Sequence, residues 1–252
     1  KDSLLVSDSV FNCLADTVEL SFDGVDDYVQ IQPNSIFDFG LNQDFTVECR
    51  VRTSYAQDVA VIGNKDWYSG SNKGFVLSFK YPSGPEWKVN IGDGVNRADI
   101  NTGGLIADNQ WHTLSVSFDR DGYMKMYEDG QIVDSANISS VGDVTTNAGL
   151  FFGTDINQAY PYNGSISEVR VWNSLIDDQT INSWYCNHLD NSHPNFSNLI
   201  GHWKLNEGSN AIQVVDYSSY NNNGNISSAS WYNSDSIWLY DYSNTPRITD
   251  IP

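Results

Sequence analysis

Apolar and polar residues alternate with a period of two over much of the chain, and this pattern predicts half-buried antiparallel strands. Phe45, Val47, Cys49 and Val51 share one face while Thr46, Glu48, Arg50 and Arg52 share the other. Leu114, Val116 and Phe118 alternate in the same way with Thr113, Ser115 and Ser117. Between Gly122 and Val133, the pair Asp129-Gly130 suits the positive φ angles of a tight I′ turn and predicts a hairpin. Further strands are expected at 18–22, 28–32, 59–64, 74–80, 86–92, 149–153, 164–172 and 199–206. About a dozen strands in one run, with no longer repeat, indicate a sandwich or barrel. One segment departs from the rhythm: Asp177 is placed to cap a short helix through Gln179, Ile181, Trp184 and Tyr185 to about Asn187.

Residues 1–17 show no clear period and read as a leader or linker. The folded unit spans 18–233, and 234–252 reads as a tail or a linker into a further domain of the same polypeptide.

Composition sharpens the all-β reading. Asp (26 residues) and Asn (27) far outnumber Glu (6), so short turn-forming oxygen side chains replace the helix-forming acid. Eleven Phe, eight Trp and fourteen Tyr are enough to fill a large core and leave rings at the surface. Thirteen Lys and Arg against 32 Asp and Glu give a net charge of −19, a field that repels phosphate polyanions and excludes nucleic acid as a partner. No apolar stretch approaches the roughly 18 residues that would span a bilayer as a helix. Cys13, Cys49 and Cys186 contain no CxxC, and all three single-disulfide pairings remain open. Cys49 lies on the apolar face of its strand and is expected to be a buried small hydrophobe.

Four stretches follow one another in an order and spacing that resembles a known pattern. They are Phe22–Val29 (FDGVDDYV), Phe45–Val51, Trp111–Val133 and Tyr162–Asn173 (YNGSISEVRVWN). Together they resemble the laminin G-like domains of the concanavalin A-like lectin/glucanase superfamily, to which pentraxins are related. Leu199–Gly208 and Val215–Ile226 resemble the closing segment of bacterial extracellular members. The resemblance implies a two-sheet antiparallel jelly-roll sandwich serving as a glycan-binding module of a secreted or cell-surface protein.

A calcium site is one candidate, because Ca²⁺ needs six to eight oxygens and two loops are rich in them. The early loop holds Asp23 and Asp26, and the late loop holds Asp216 and Asn223. The resemblance implies that the late loop packs on the early turn around a bound cation, and that Glu168, in the strand ending Val-Arg-Val-Trp, is a further ligand. The alternative is that these residues are turn formers bonded to their own backbone.

A glycan platform is the second candidate, since sugars are held by exposed rings together with Asn, Asp or backbone partners on loops. Trp67 and Tyr68 lie in one loop of that composition and Tyr160 and Tyr162 in another, with Trp87 expected to join them. Catalytic signatures are absent: there is no ExDxxE strand motif, no HExxH and no GxSxG. The sequence therefore points to a calcium-stabilised, non-catalytic, lectin-like module. The alternatives are a structural or protein-interaction domain, or a glycoside hydrolase with an unrecognised acid pair such as Asp66 with Glu86 or Asp155.

Overall fold

The computed structural model describes residues 17–55, 57–67, 71–80, 86–101, 104 and 106–233. In chain order its strands begin with β1 (Val18–Asp23), β2 (Tyr28–Ile31), β3 (Phe45–Arg52), β4 (Val59–Gly63), β5 (Gly74–Lys80), β6 (Glu86–Gly92), β7 (Arg97–Ile100) and β8 (Trp111–Phe118). They continue with β9 (Tyr123–Glu128), β10 (Gln131–Asn137), β11 (Phe151–Phe152), β12 (Asn163–Trp172), β13 (Leu199–Trp203), β14 (Gln213–Val214), β15 (Gly224–Ser227) and β16 (Ser230–Asn233). One α-helix, α1 (Asp178–Trp184), lies between β12 and β13.

The strands form two antiparallel sheets, the jelly-roll sandwich that the resemblance implies and one of the two architectures that the alternation allows. One has the order β10-β9-β8-β3-β12-β1-β16, with β13 also paired to β12; the other runs β14-β15-β2-β11-β4-β5-β6-β7. Both ends of the described chain are strands in register with each other, because β1 pairs with β16 and β2 with β15. The Asp129-Gly130 turn closes the β9–β10 hairpin with φ of 48° and 75°, the left-handed pair that its sequence suggests.

Inward positions of both sheets meet in one core. At its centre Phe45 stacks on Phe39 (centroids 3.8 Å apart) and on Phe118 (4.2 Å), with Phe75 tilted against both Phe45 and Phe118. Cys49 is a free, fully buried thiol, as its strand face implies, and burial pushes its titration far up. Cys186 is disulfide-bonded, and Cys13 lies outside the described residues. Trp172 and Trp203 are fully buried, whereas Trp111 is half-buried beneath the guanidinium groups of Arg50 and Arg52.

The helix begins where the cap was expected: Asp177 Oδ1 accepts from the Thr180 N–H at 2.8 Å. It ends at Trp184, about one turn before Asn187, and covers a small apolar cluster of Tyr127, Trp172, Ile176, Ile181 and Leu199 on the outer side of its sheet.

Candidate functional site

The oxygen-rich loops separate. In the turn between β1 and β2, Asp23, Asp26 and Asp27 converge, with carboxylate oxygens within 4.8 Å of one another. Asp23 Oδ1 accepts from the Val25 N–H, Asp27 Oδ2 from the Asp23 N–H, and Asp26 Oδ2 from the Ser228 hydroxyl. Each carboxylate keeps one oxygen outside these bonds. Burial, together with the charges of Asp23 and Asp26, pushes Asp27 above its ordinary range. The turn borders a cavity of about 210 Å³ whose far wall is Thr154, Gln158 and Pro161.

The late loop does not reach this turn, which corrects the expectation that they pack together. Asn223 precedes Gly224, which is paired with Ile31, while the acidic turn joins β2 at its other end, next to Tyr28. Four residues of strand, roughly 13 Å, lie between them. Asp216 instead accepts from the backbone of His202, Ser218 and Asn222 and from the Ser218 hydroxyl, and Asn223 Oδ1 accepts from the Asp216 N–H. Asp216 and Asn223 are thus turn formers that lock their own loop.

Glu168 is likewise outside the cluster. It sits at a bulge of β12, five residues or roughly 16 Å along the strand from Asn163, the register partner of Asp23. Its φ is +47°, and its Oε2 accepts from His202 Nε2 at 3.0 Å and from Arg170 at 3.3 Å. Burial raises its pKa, but the His202 hydrogen bond and the Arg170 charge outweigh that and hold the carboxyl at about 2. This is a buried ion-paired carboxylate serving strand β12, not a ligand of the early turn.

The aromatic residues divide by burial. Trp87 and Tyr162 are fully buried, which corrects their expected place in a ligand platform. Trp87 alternates with Val89 and Ile91 on the core face of β6, and Tyr162 donates its hydroxyl to the Arg52 carbonyl at 3.1 Å. Tyr68 lies outside the described residues.

Trp67 and Tyr160 do come together, stacked at 4.3 Å with 24° between their planes. Asn64 Oδ1 fixes the start of the Trp67 loop on the Phe75 N–H. Asp155 Oδ2 accepts from the Trp67 N–H at 2.9 Å, and the indole donates to the Phe79 carbonyl. Tyr160 is held at φ +58° by a turn in which Asp155 Oδ1 accepts from Asn157 and Ala159.

These contacts fold the loop over the outward face of β5, β6 and β7. Alternation puts Lys88 and Asn90 of β6 on that face, and register brings Asp99 opposite Asn90 and Arg97 opposite Gly92. The result is a cleft of about 250 Å³ lined by Trp67, Lys80, Lys88, Asn90, Arg97 and Asp99, among others. Lys88 Nζ lies 4.1 Å from the Trp67 ring centroid, Asn90 Nδ2 donates to Asp99 at 2.7 Å, and Arg97 Nε pairs with Asp99 at 3.0 Å. Burial lowers the pKa of both Lys88 and the fully enclosed Lys65 beneath the loop.

Comparison with known proteins agrees with this architecture. Residues 23–182 match the family model for the concanavalin A-like lectin/glucanases superfamily. The chain belongs to that superfamily. No curated protein matches it. This superfamily member resembles the structure of a Bacteroides ovatus protein provisionally described as carbohydrate binding, with TM-score 0.66 and 17% identity, covering 88% of this chain and 61% of that one. The chain thus spans about three fifths of that protein's length. The binding domain of Paraclostridial Mosquitocidal Protein 1 matches with TM-score 0.51 and 15% identity over 68% of this chain and 47% of that one. A heptameric SAP-like pentraxin from Limulus polyphemus matches with TM-score 0.51 and 14% identity over 67% of this chain and 82% of that one. At these identities the likeness is one of fold.

Lys80, Lys88, Asn90, Arg97 and Asp99 were absent from the residues singled out by sequence. The signal existed in the alternation of EWKVNIG, where Lys88 and Asn90 fall opposite the apolar positions. Only the pairing of β6 with β7 shows that Arg97 and Asp99 join them.

Proposed function

We propose that the protein is a non-catalytic glycan-binding module of a secreted or surface protein, with its sugar site in the cleft beside Trp67 and Tyr160. The observation that carries this reading is the cleft itself, where the half-buried Trp67, held from behind by Tyr160, borders a cavity lined by amide and charged side chains. Rings that meet sugar C–H faces, next to polar groups that meet hydroxyl edges, are the chemistry of sugar recognition. The description of the Bacteroides ovatus neighbour points the same way. A disulfide at Cys186 supports an oxidising, extracellular compartment.

Glycoside hydrolysis needs two carboxylates flanking the scissile bond. In the cleft, Asp99 is committed to Arg97 and Asn90, and Asp155 of the neighbouring loop is committed to three backbone N–H groups. Their engagement supports binding over catalysis.

The Asp23–Asp26–Asp27 turn fits a hard cation, because three carboxylates within 4.8 Å each retain an oxygen. We place calcium there. Bound calcium would offset most of the negative charge of the turn, and the cavity beside it is walled by the same 154–162 loop that carries Tyr160 against Trp67.

The test of the sugar site is Trp67→Ala. On a polysaccharide and glycan array, the variant is expected to lose about fivefold or more in affinity while its far-UV circular dichroism is unchanged, because the ring that walls the cleft and seats Lys88 is gone. Undiminished binding by that variant would remove the cleft from the sugar site.

A further inference from the structure

We infer that the cleft selects an anionic sugar, one bearing a carboxylate or sulfate ester, which is seated against Lys80, Lys88 and Arg97 while its ring lies beside Trp67. This inference rests on the glycan-binding reading and adds the charge of the ligand to it.

The first observation is an inversion of charge. Over the whole chain acids outnumber Lys and Arg by 32 to 13, yet the cleft is lined by Lys80, Lys88 and Arg97 against the single acid Asp99. Such a patch on a chain of net charge −19 is the place where a polyanion approaches against the least repulsion.

The second observation is that these cations are incompletely neutralised. Lys88 is 9% exposed and makes no contact ion pair among the described residues; its ammonium lies over the Trp67 ring, and the charges of Asp99 and Asp58 act on it only from beyond ion-pair distance. A buried ammonium without a contacting carboxylate is short of solvation, and an incoming anion supplies what burial removed. Lys80, on the exposed end of β5, also makes no ion pair among the described residues. Asp99 engages Arg97 through Nε, which leaves the terminal nitrogens of the guanidinium fork for a bidentate partner.

The third observation is an unused acceptor. Asn90 is 4% exposed, and its buried Oδ1 has no hydrogen-bond partner although its Nδ2 is held by Asp99. A sugar hydroxyl supplies the missing donor. The cleft therefore presents cations for the substituent and a carbonyl for a hydroxyl, beside an indole whose faces are taken by Tyr160 and by the Lys88 ammonium, so that the sugar meets its edge.

The experiment is affinity electrophoresis of the whole chain through a panel in three arms. Alginate, pectate and hyaluronate carry carboxylates, dextran sulfate and carrageenan carry sulfate esters, and dextran, laminarin and arabinogalactan carry no charge. The expected result is that retained polysaccharides fall in one of the charged arms, which also identifies the substituent. Arg97→Gln and Lys80→Gln, both at exposed side chains, should each weaken that binding tenfold or more. Lys73→Gln removes the same charge from the exposed Lys73–Asp143 pair and should change it less than twofold. If the tightest ligand is uncharged, or if the Lys73 variant loses as much as the Arg97 variant, the inference about ligand charge is overturned while glycan binding stands. If no arm is retained, both are overturned.

Discussion

At the scale of single residues, two histidines make the stability of the fold depend on pH in opposite directions. His112 is raised to about 8 by its hydrogen bond to Asp129, with Asp108 adding to it and burial opposing. Its folded pKa exceeds the unfolded value near 6.5, so its contribution is complete below that value and disappears as pH rises through about 8. Because Asp108 and Asp129 are 48% and 41% exposed, screening reduces the contribution to about 1 kcal/mol. His193 is lowered to about 4 by burial between Trp172 and Trp184, with the Arg170 charge adding to it. Its contribution is complete above pH 6.5 and is lost as pH falls through 4, an effect of about 2–3 kcal/mol. Glu168, held at about 2, extends the loss to still lower pH. Urea midpoints measured from pH 4 to 9 should peak between 6 and 7. His112→Gln should flatten the alkaline limb alone, and an unchanged limb in that variant would refute the assignment to His112.

At the scale of elements, the helix shows what local sequence can specify. Asp177 accepts from the Thr180 N–H at 2.8 Å and from its hydroxyl at 2.9 Å, and the helix it starts covers Trp172 and Leu199. Asp177→Ala should cost about 1 kcal/mol, within a range of roughly 0.5–2, read as a lower urea midpoint with the same m value. An unaltered midpoint would mean that packing, not the cap, holds α1. The cap and the Asp129-Gly130 turn were legible because each is decided within about four residues. The short strands β7, β15 and β16 were not: β7 shows too little apolar pattern in four residues to be read before it is paired with β6, and β15 and β16 join the sheets by pairing with β2 and β1, far along the chain. Gly224–Ser227 is an example: it follows an Asn run that reads as loop, yet it pairs with β2 almost two hundred residues earlier. The cleft was hidden because strand register, not local pattern, assembles it. Asn90 and Asp99 lie in different segments, and their contact exists only once β6 and β7 are in register.

At the scale of the whole molecule, the two ends of the described chain are woven together, β1 onto β16 and β2 onto β15, which holds the sandwich closed along one side. That same weave keeps the two oxygen-rich loops apart. The strand pair β2–β15 has the Asp23–Asp27 turn at one end and the Asp216–Asn223 loop at the other, so one ion cannot be ligated by both. Family resemblance could bring the loops into one expectation, but the spacing along the strands decides between them. The consequence is a testable separation of ligands from turn formers. Saturating calcium at about 100 times its Kd should stabilise the protein by about 2.7 kcal/mol, a rise of about 5–10 °C in Tm that EDTA reverses. Asp26→Asn should abolish that rise, because it takes a charge from the cluster while its remaining oxygen can still accept from Ser228. Asp216→Asn should behave oppositely: it weakens four hydrogen bonds in a buried loop and lowers the baseline Tm, yet it leaves the calcium-induced increment intact. Calcium dependence that vanished with Asp216 and survived loss of Asp26 would transfer the ion to the far end of the strand pair and refute the site at the early turn.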